Sequence, residues 1–206
     1  ACVSRFRGMF ALALWDLRRR RLLLARDRVG KKPLYYIHDG ERLLFGSELK
    51  ALLADPSVKR ALNLEALDDY LSFGAVPAPK TIYQGIEQLP PAHYLAWEDG
   101  RVSVTEYWDL AFQEGAPRSE SEYLEEFEAL FNEAVRIRII SDVPLGAFLS
   151  GGVDSSAVVA SMVAQSSRPV TTTTIIFKEK AFNAAPHARA VANALGTDHH
   201  EVIVEP

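Results

Sequence analysis

The chain is predicted to be an α/β protein of two domains, an antiparallel β-rich domain followed by a parallel sheet with crossover helices. Three observations predict it. In the first half, short β-type runs are separated by polar turns and not by helical crossovers. In the second half, strand-like and helix-like runs alternate, which implies parallel strands joined by helices. Between them, Glu114-Gly115-Ala116-Pro117-Arg118-Ser119-Glu120 has the composition of a linker. The domains are therefore expected over residues 1–113 and 119–206.

In the first domain, β-type runs at 8–15 and 22–25 flank Arg18, Arg19, Arg20 and Arg21. A basic run between two apolar stretches reads as a solvated hairpin turn. Runs at 34–37 and 43–45 flank His38-Asp39-Gly40-Glu41, whose Asp-Gly pair suits a tight hairpin. A short helix is predicted over 47–54, stopped by Asp55-Pro56. A second helix should start after Asn63, a good capping residue, and carry Leu64, Leu67 and Leu71 inward. Residues 76–91 are rich in proline and turn residues, and a last hairpin is predicted from 94–97 and 102–108 around Glu98-Asp99-Gly100.

The second domain opens with Ser119 and Glu122 at capping-box spacing, ahead of an apolar stripe at Tyr123, Leu124, Phe127, Leu130, Phe131, Ala134 and Val135. That spacing is helical, and the helix should end before Pro144. Strands are then predicted at 145–149, 171–177 and 200–204, with helices at 155–163 and 185–195. Neither an internal repeat nor a low-complexity segment is visible in the sequence.

With 206 residues, 48% hydrophobic and 24% charged, the composition is that of an ordinary globular protein. A net charge of -4 and a pI near 5.8 supply no basic field, so a nucleic-acid partner has no electrostatic support. One cysteine cannot form an internal disulfide, which fits a reducing compartment and an expected cytoplasmic location. The sequence has no apolar run approaching the ~20 residues that span a bilayer and opens with no signal-peptide pattern, so no membrane partner is expected. A strand pattern already under way at Gly8 leads us to expect a piece of a longer protein.

The chemistry concentrates in Ser150-Gly151-Gly152-Val153-Asp154-Ser155-Ser156, which directly follows an apolar strand and opens a helix. That placement puts backbone N–H groups at a helix N-terminus, where the macrodipole adds partial positive charge, an arrangement suited to phosphates. Glycine lacks a Cβ, so the main chain can turn sharply and approach an anion, while Ser150, Ser155 and Ser156 can add hydroxyl donors. Asp154 cannot donate to phosphate at neutral pH, but a carboxylate beside a polyphosphate makes sense as a ligand of Mg2+. No Gly-Lys-Ser/Thr follows, so this is not a Walker A loop.

The loop resembles that of the N-type ATP pyrophosphatases, Ser-Gly-Gly-x-Asp-Ser. Further matches narrow the family: Arg7-Gly8-Met9-Phe10-Ala11 and its surroundings, Arg26-Asp27-Arg28-Val29-Gly30-Lys31-Lys32-Pro33, Gly46-Ser47-Glu48-Leu49-Lys50, Leu89-Pro90-Pro91-Ala92-His93-Tyr94, and Arg136 through Gly146. Together and in order, these are similar to the glutamine-hydrolysing asparagine synthetase family over nearly the whole chain. The resemblance implies the C-terminal part of an N-terminal-nucleophile glutaminase domain over 1–113, followed by the N-terminal part of an ATP-pyrophosphatase synthetase domain over 119–206. It implies glutamine, aspartate and ATP as substrates, Mg2+ at Asp154, an internal ammonia tunnel, and asparagine made through an adenylate. Phe148, Leu149 and Ile175 are expected near the nucleotide, and Ser150, Gly151, Gly152, Asp154, Ser155 and Ser156 at the pyrophosphate. A homodimer is left open for the full-length protein.

Other residues read as ordinary. Cys2 lies only a few residues before the first strand, whereas the family nucleophile lies half a domain upstream, so Cys2 is expected to be a small buried or edge cysteine. Arg26, Asp27, Arg28 and the Glu48/Lys50 pair are expected to make structural ion pairs or domain contacts. Met9 is expected in the core. His199 and His200 are adjacent strand residues on opposite faces, so they should not share a metal, and His93 should be structural. Two departures stand out: Ile176 where relatives usually carry glycine, and Asn183-Ala184 where an Asp-Glu pair is usual. They keep open a paralogue acting on another carboxylate, and a non-catalytic relative is the remaining alternative. The family's second ATP loop would lie beyond Pro206, so the piece alone is expected to be inactive.

Overall fold

The computed structural model describes residues 2–177 and 185–204. The chain is a mixed α/β protein that divides into two compact units, Ala1–Glu114 and Gly115–Pro206.

Among its described residues, the first unit has a 3-10 turn, Cys2–Arg5, and seven strands: β1 (Ala11–Asp16), β2 (Arg21–Arg26), β3 (Tyr35–His38), β4 (Leu43–Gly46), β5 (Glu87–Gln88), β6 (His93–Glu98) and β7 (Arg101–Glu106). They form two antiparallel sheets, ordered β1-β2-β6-β7 and β4-β3-β5. Turn chemistry sets the registers. Asp16 accepts the N–H groups of Arg18 (2.9 Å) and Arg19 (3.1 Å), so Asp16 faces Arg21 across the hairpin and the arginines stay in solvent. Asp99 and Gly100 take φ of 48° and 74°, the left-handed pair that joins β6 to β7 in two residues.

Strand alternation brings Leu22, Leu24 and Leu95 onto one face of the larger sheet, where they meet Leu34, Tyr36 and Leu89 from the smaller one. Burying a leucine contributes about 2 kcal/mol, so this cluster holds the two sheets together. Helices α1 (Leu49–Leu52) and α2 (Leu64–Phe73) lie between β4 and β5 in the chain. The side chain of Asn63 caps α2 through Ala66 N–H (3.3 Å), and Gly74 ends it in the left-handed region.

Three expectations about burial need correction here. Ala66 is the residue α2 buries; Leu67 is half-buried, and Leu64 and Leu71 are exposed. Met9 is exposed, since it precedes β1 and so lies outside the sheet's alternation. Cys2 is exposed in the 3-10 turn, where Val3 takes the buried position.

The second unit contains α3 (Glu120–Arg136), β8 (Gly146–Phe148), α4 (Val153–Ala164), β9 (Thr171–Phe177), α5 (Ala185–Leu195) and β10 (Asp198–Val204). The strands form a parallel sheet ordered β10-β9-β8, joined by the two intervening helices. Ser119 and Glu122 make a reciprocal capping box, with Ser119 Oγ accepting Glu122 N–H (3.3 Å) and Glu122 accepting Ser119 N–H (2.7 Å). Only the C-terminal part of the α3 stripe is covered. Val135 packs with Met162 and Val170, and Phe131 and Ala134 are half-buried, while Tyr123, Leu124, Phe127 and Leu130 are exposed. Between α3 and α4, Ser161 donates to Asn132 Oδ1 (2.6 Å), and the Gln165 amide donates to Asn132 O (3.1 Å). Among the described residues, no helix is long and apolar enough to cross a membrane.

Candidate functional site

The segment joining β8 to α4 is held from both sides. Buried Leu149 donates its N–H to Thr173 O (3.0 Å) and its carbonyl accepts the Thr174 hydroxyl, so β9 aims the chain as it leaves β8. The next residues turn through Gly151, at φ +77°, into Gly152, the N-cap of α4. A Cβ on Gly151 would lie 2.5 Å from Ala188 N and 2.6 Å from His187 Cβ, so no other residue type fits between the loop and the first turn of α5.

The helix then begins with Ser156 N–H donating to Gly152 O (3.0 Å). The N–H groups of Val153, Asp154 and Ser155 precede that first intrahelical bond, as orphan donors at the positive end of the helix dipole. The serines brace the loop. Ser150 and Ser155 hydroxyls are 2.9 Å apart, Ser155 Oγ accepts Ser150 N–H (3.3 Å), and Ser150 Oγ accepts Gly152 N–H (3.4 Å). Ser150 and Ser155 were expected as hydroxyl donors to a ligand; they are engaged first with the loop itself, because their spacing of five places both hydroxyls inside the turn. Ser156 is half-buried, and Asp154 is exposed in the first turn of α4.

Beside the loop, Phe148, Leu149, Ser150, Thr173, Thr174 and Ile175 line a depression of about 230 Å³. Phe148 is 76% exposed and Ile175 is 42% exposed, so both offer apolar surface to solvent at the sheet's C-terminal edge. One turn thus gathers Phe148, Leu149, Ser150, Gly151, Gly152, Asp154, Ser155 and Ser156, and β9 adds Ile175. Thr173, Thr174 and His187 were not singled out from sequence. The threonines carried only a strand signal, and a histidine in an alanine-rich helix carried none.

His199 and His200 have separate partners. His199 Nδ1 is 2.9 Å from the Thr172 hydroxyl, itself 2.9 Å from the Thr197 hydroxyl, whereas His200 Nε2 lies 3.3 Å from Asp198. Among the described residues, no group of three or more His, Cys, Asp or Glu is placed to hold a metal. Ile176 is half-buried in β9, and Asn183-Ala184 lie outside the described residues.

In the first unit, the charged segment after β2, where structural ion pairs or domain contacts were expected for Arg26 and Asp27, is organised by main-chain groups, with Asp27 also acting on Arg26 through its charge. Buried Arg26 donates to the carbonyls of Lys32 (2.9 Å), Leu89 (2.7 Å) and Gly30 (2.7 Å). Buried Asp27 accepts the N–H groups of Phe10 (3.2 Å), Val29 (3.3 Å), Lys31 (2.9 Å) and Lys32 (2.9 Å). Burial by itself would raise the Asp27 pKa, but these four N–H donors outweigh it and hold the carboxyl below its ordinary value. Burial lowers the Arg26 pKa. Arg28 donates to Ser4 O (3.0 Å) and stacks over Trp108, Glu48 and Lys50 form an exposed ion pair (2.6 Å), and His93 Nδ1 bonds to Pro91 O (2.6 Å).

Residues 1–108 match the family model described as glutamine amidotransferase domain, and residues 126–206 match the one described as asparagine synthase. The chain belongs to the glutamine-hydrolysing asparagine synthetase family of amidotransferases. It is 34% identical to asparagine synthetase [glutamine-hydrolyzing] 3 of Bacillus subtilis, over 98% of this chain and 35% of that protein. It is 32% identical to asparagine synthetase [glutamine-hydrolyzing] 1 of the same organism, over 98% of this chain and 32% of that protein. A protein named amidase chry2, from Gibberella zeae, is 37% identical over 76% of this chain and 23% of its own length. The chain thus spans about a third of the length of the asparagine synthetases it matches.

Proposed function

We propose that the chain is part of an ATP-dependent, glutamine-fed amide ligase that makes asparagine from aspartate, with the 150–156 loop holding the pyrophosphate portion of ATP. Residues 1–113 are the C-terminal part of its glutaminase domain and 119–206 the N-terminal part of its synthetase domain. The loop carries this function: three orphan N–H groups at the start of α4 follow a glycine turn that β9 and α5 hold in place. Phe148, Leu149 and Ile175 give the nucleoside an apolar seat beside it.

An aspartate carboxylate oxygen attacks the α-phosphorus of ATP, the bond to the bridging oxygen breaks, and pyrophosphate leaves. Ammonia from glutamine then adds to the acyl carbon, AMP departs with the bonding electron pair, and the surplus proton is lost. Fixed N–H dipoles favour this sequence because they stabilise the departing phosphates without reorganising. Asp154 fits a nucleotide-borne Mg2+: one carboxylate with phosphate oxygens is the usual way this ion is held, and it would offset the phosphate charge. Cys2 lies only a few residues before β1, whereas the family nucleophile lies half a domain upstream, so glutamine hydrolysis is assigned to a residue other than Cys2.

A second reading, amide formation on a different carboxylate, is favoured by Ile176 at a position where the family usually carries glycine. Asparagine formation with aspartate, compared with other carboxylates as acceptors, separates the two. The phosphate role is tested with Asp154→Asn in the full-length gene product, which should lose pyrophosphate release by at least about a hundredfold while glutamine hydrolysis persists. Unchanged pyrophosphate release would remove Asp154 from the mechanism.

A further inference from the structure

We propose that His187 is a second contact for the loop's ligand, its imidazole N–H donating a hydrogen bond to a phosphate oxygen of pyrophosphate or of the polyphosphate tail of a nucleotide. This role depends on the 150–156 loop being the phosphate site proposed above. The root of His187 is fixed against that loop, since a Cβ on Gly151 would lie 2.6 Å from His187 Cβ and 2.5 Å from its carbonyl carbon. The position of α5 is fixed as well, because Ala188 and Ala192 share a buried cluster with Leu149, which leads into the loop, and Val159 of α4. Ala185 and Ala188 turn inward while His187 is exposed, so its ring lies on the solvent side of the helix turn that abuts Gly151.

The surrounding chemistry singles out this histidine. Ala185, Pro186, Ala188 and Ala190 carry no polar side-chain group. Arg189 is committed elsewhere, donating to both carboxylate oxygens of Glu201 on β10 at 2.9 and 2.7 Å. Across the loop, the hydroxyls of Ser150 and Ser155 are bonded to each other. Of the side chains in this turn of α5, His187 therefore remains to add a donor to those of the loop's own amides, and an imidazole supplies one in either protonation state.

The test follows titration of magnesium pyrophosphate into the 206-residue chain by amide chemical shifts, which also measure weak binding. His187→Ala should weaken binding about tenfold, the usual scale for losing one hydrogen bond to an anion, and His187→Gln, which keeps an N–H donor, should restore most of it. Both variants should melt at the wild-type temperature because the side chain is exposed. Wild-type affinity in His187→Ala would overturn the contact and leave the loop assignment standing. Equal loss in both variants would overturn the donor role. Absence of pyrophosphate binding to the wild-type chain would overturn the loop assignment and this contact with it.

Discussion

Gly151 and Asp27 show how single residues set the geometry of each unit. Gly151 combines a left-handed backbone with the absence of space for a Cβ between the loop and α5. Gly151→Ala must therefore either unseat the first turn of α5 or flatten the loop. We expect a loss of about 2 kcal/mol in stability and at least a tenfold loss in pyrophosphate affinity, read by chemical denaturation and by titration. Wild-type values in both would mean the loop is set by other residues. Asp27 is buried among four main-chain N–H donors, and Asp27→Asn turns an NH2 group toward some of them, at a cost of about 2 kcal/mol. Because its folded-state pKa is lowered, the contribution of Asp27 is complete above the ordinary value of 3.8 and is lost as pH falls through and below it. Denaturation curves from pH 6 down to about 2 should show that acid limb in the wild type and a weaker one in Asp27→Asn. Parallel curves would exclude Asp27 as its source.

At the scale of elements, α3 depends on its cap more than a well-covered helix would. Its N-terminal apolar residues Tyr123, Leu124, Phe127 and Leu130 are exposed, so packing within the second unit stabilises only the C-terminal turns. The Ser119 and Glu122 box supplies the missing local term, satisfying amides that the helix cannot. Ser119→Ala should cost about 1 kcal/mol and fray the first turns, visible as lost helical dichroism and faster amide exchange near Glu122. Unchanged exchange there would mean α3 is held by its C-terminal contacts alone. The capping box was legible in sequence because it is a pattern of neighbours. The uneven burial of the stripe was not, since amphipathic spacing states which residues share a face and says nothing of how much of that face meets a partner.

At the scale of the whole chain, the units Ala1–Glu114 and Gly115–Pro206 are joined by a segment without regular structure between β7 and α3. We propose that each is a separately folded domain. Brief trypsin digestion should then cut first after Arg118 and leave two resistant fragments, identified by mass. First cleavage inside either sheet, or no cleavage between residues 107 and 119, would sink the division.

The sequence by itself determined most of the elements and the loop, but not β5, which lies in a stretch that reads as turns. The β6-β7 hairpin follows from Asp99 and Gly100, helix starts follow from Asn63 and Ser119, and the glycine-serine run sits where a parallel strand meets a helix. All of these are decided by residues a few positions apart. Tertiary structure alone decided the rest: that Ala66 and not Leu64 is buried, that Arg26 and Asp27 hold main-chain groups, that Thr174 pins Leu149, and that His187 abuts Gly151. Those outcomes depend on partners as far as 63 residues away, as from Arg26 to Leu89. Buried polar groups bond to whichever donor or acceptor packing brings within reach, so local pattern cannot name the partner.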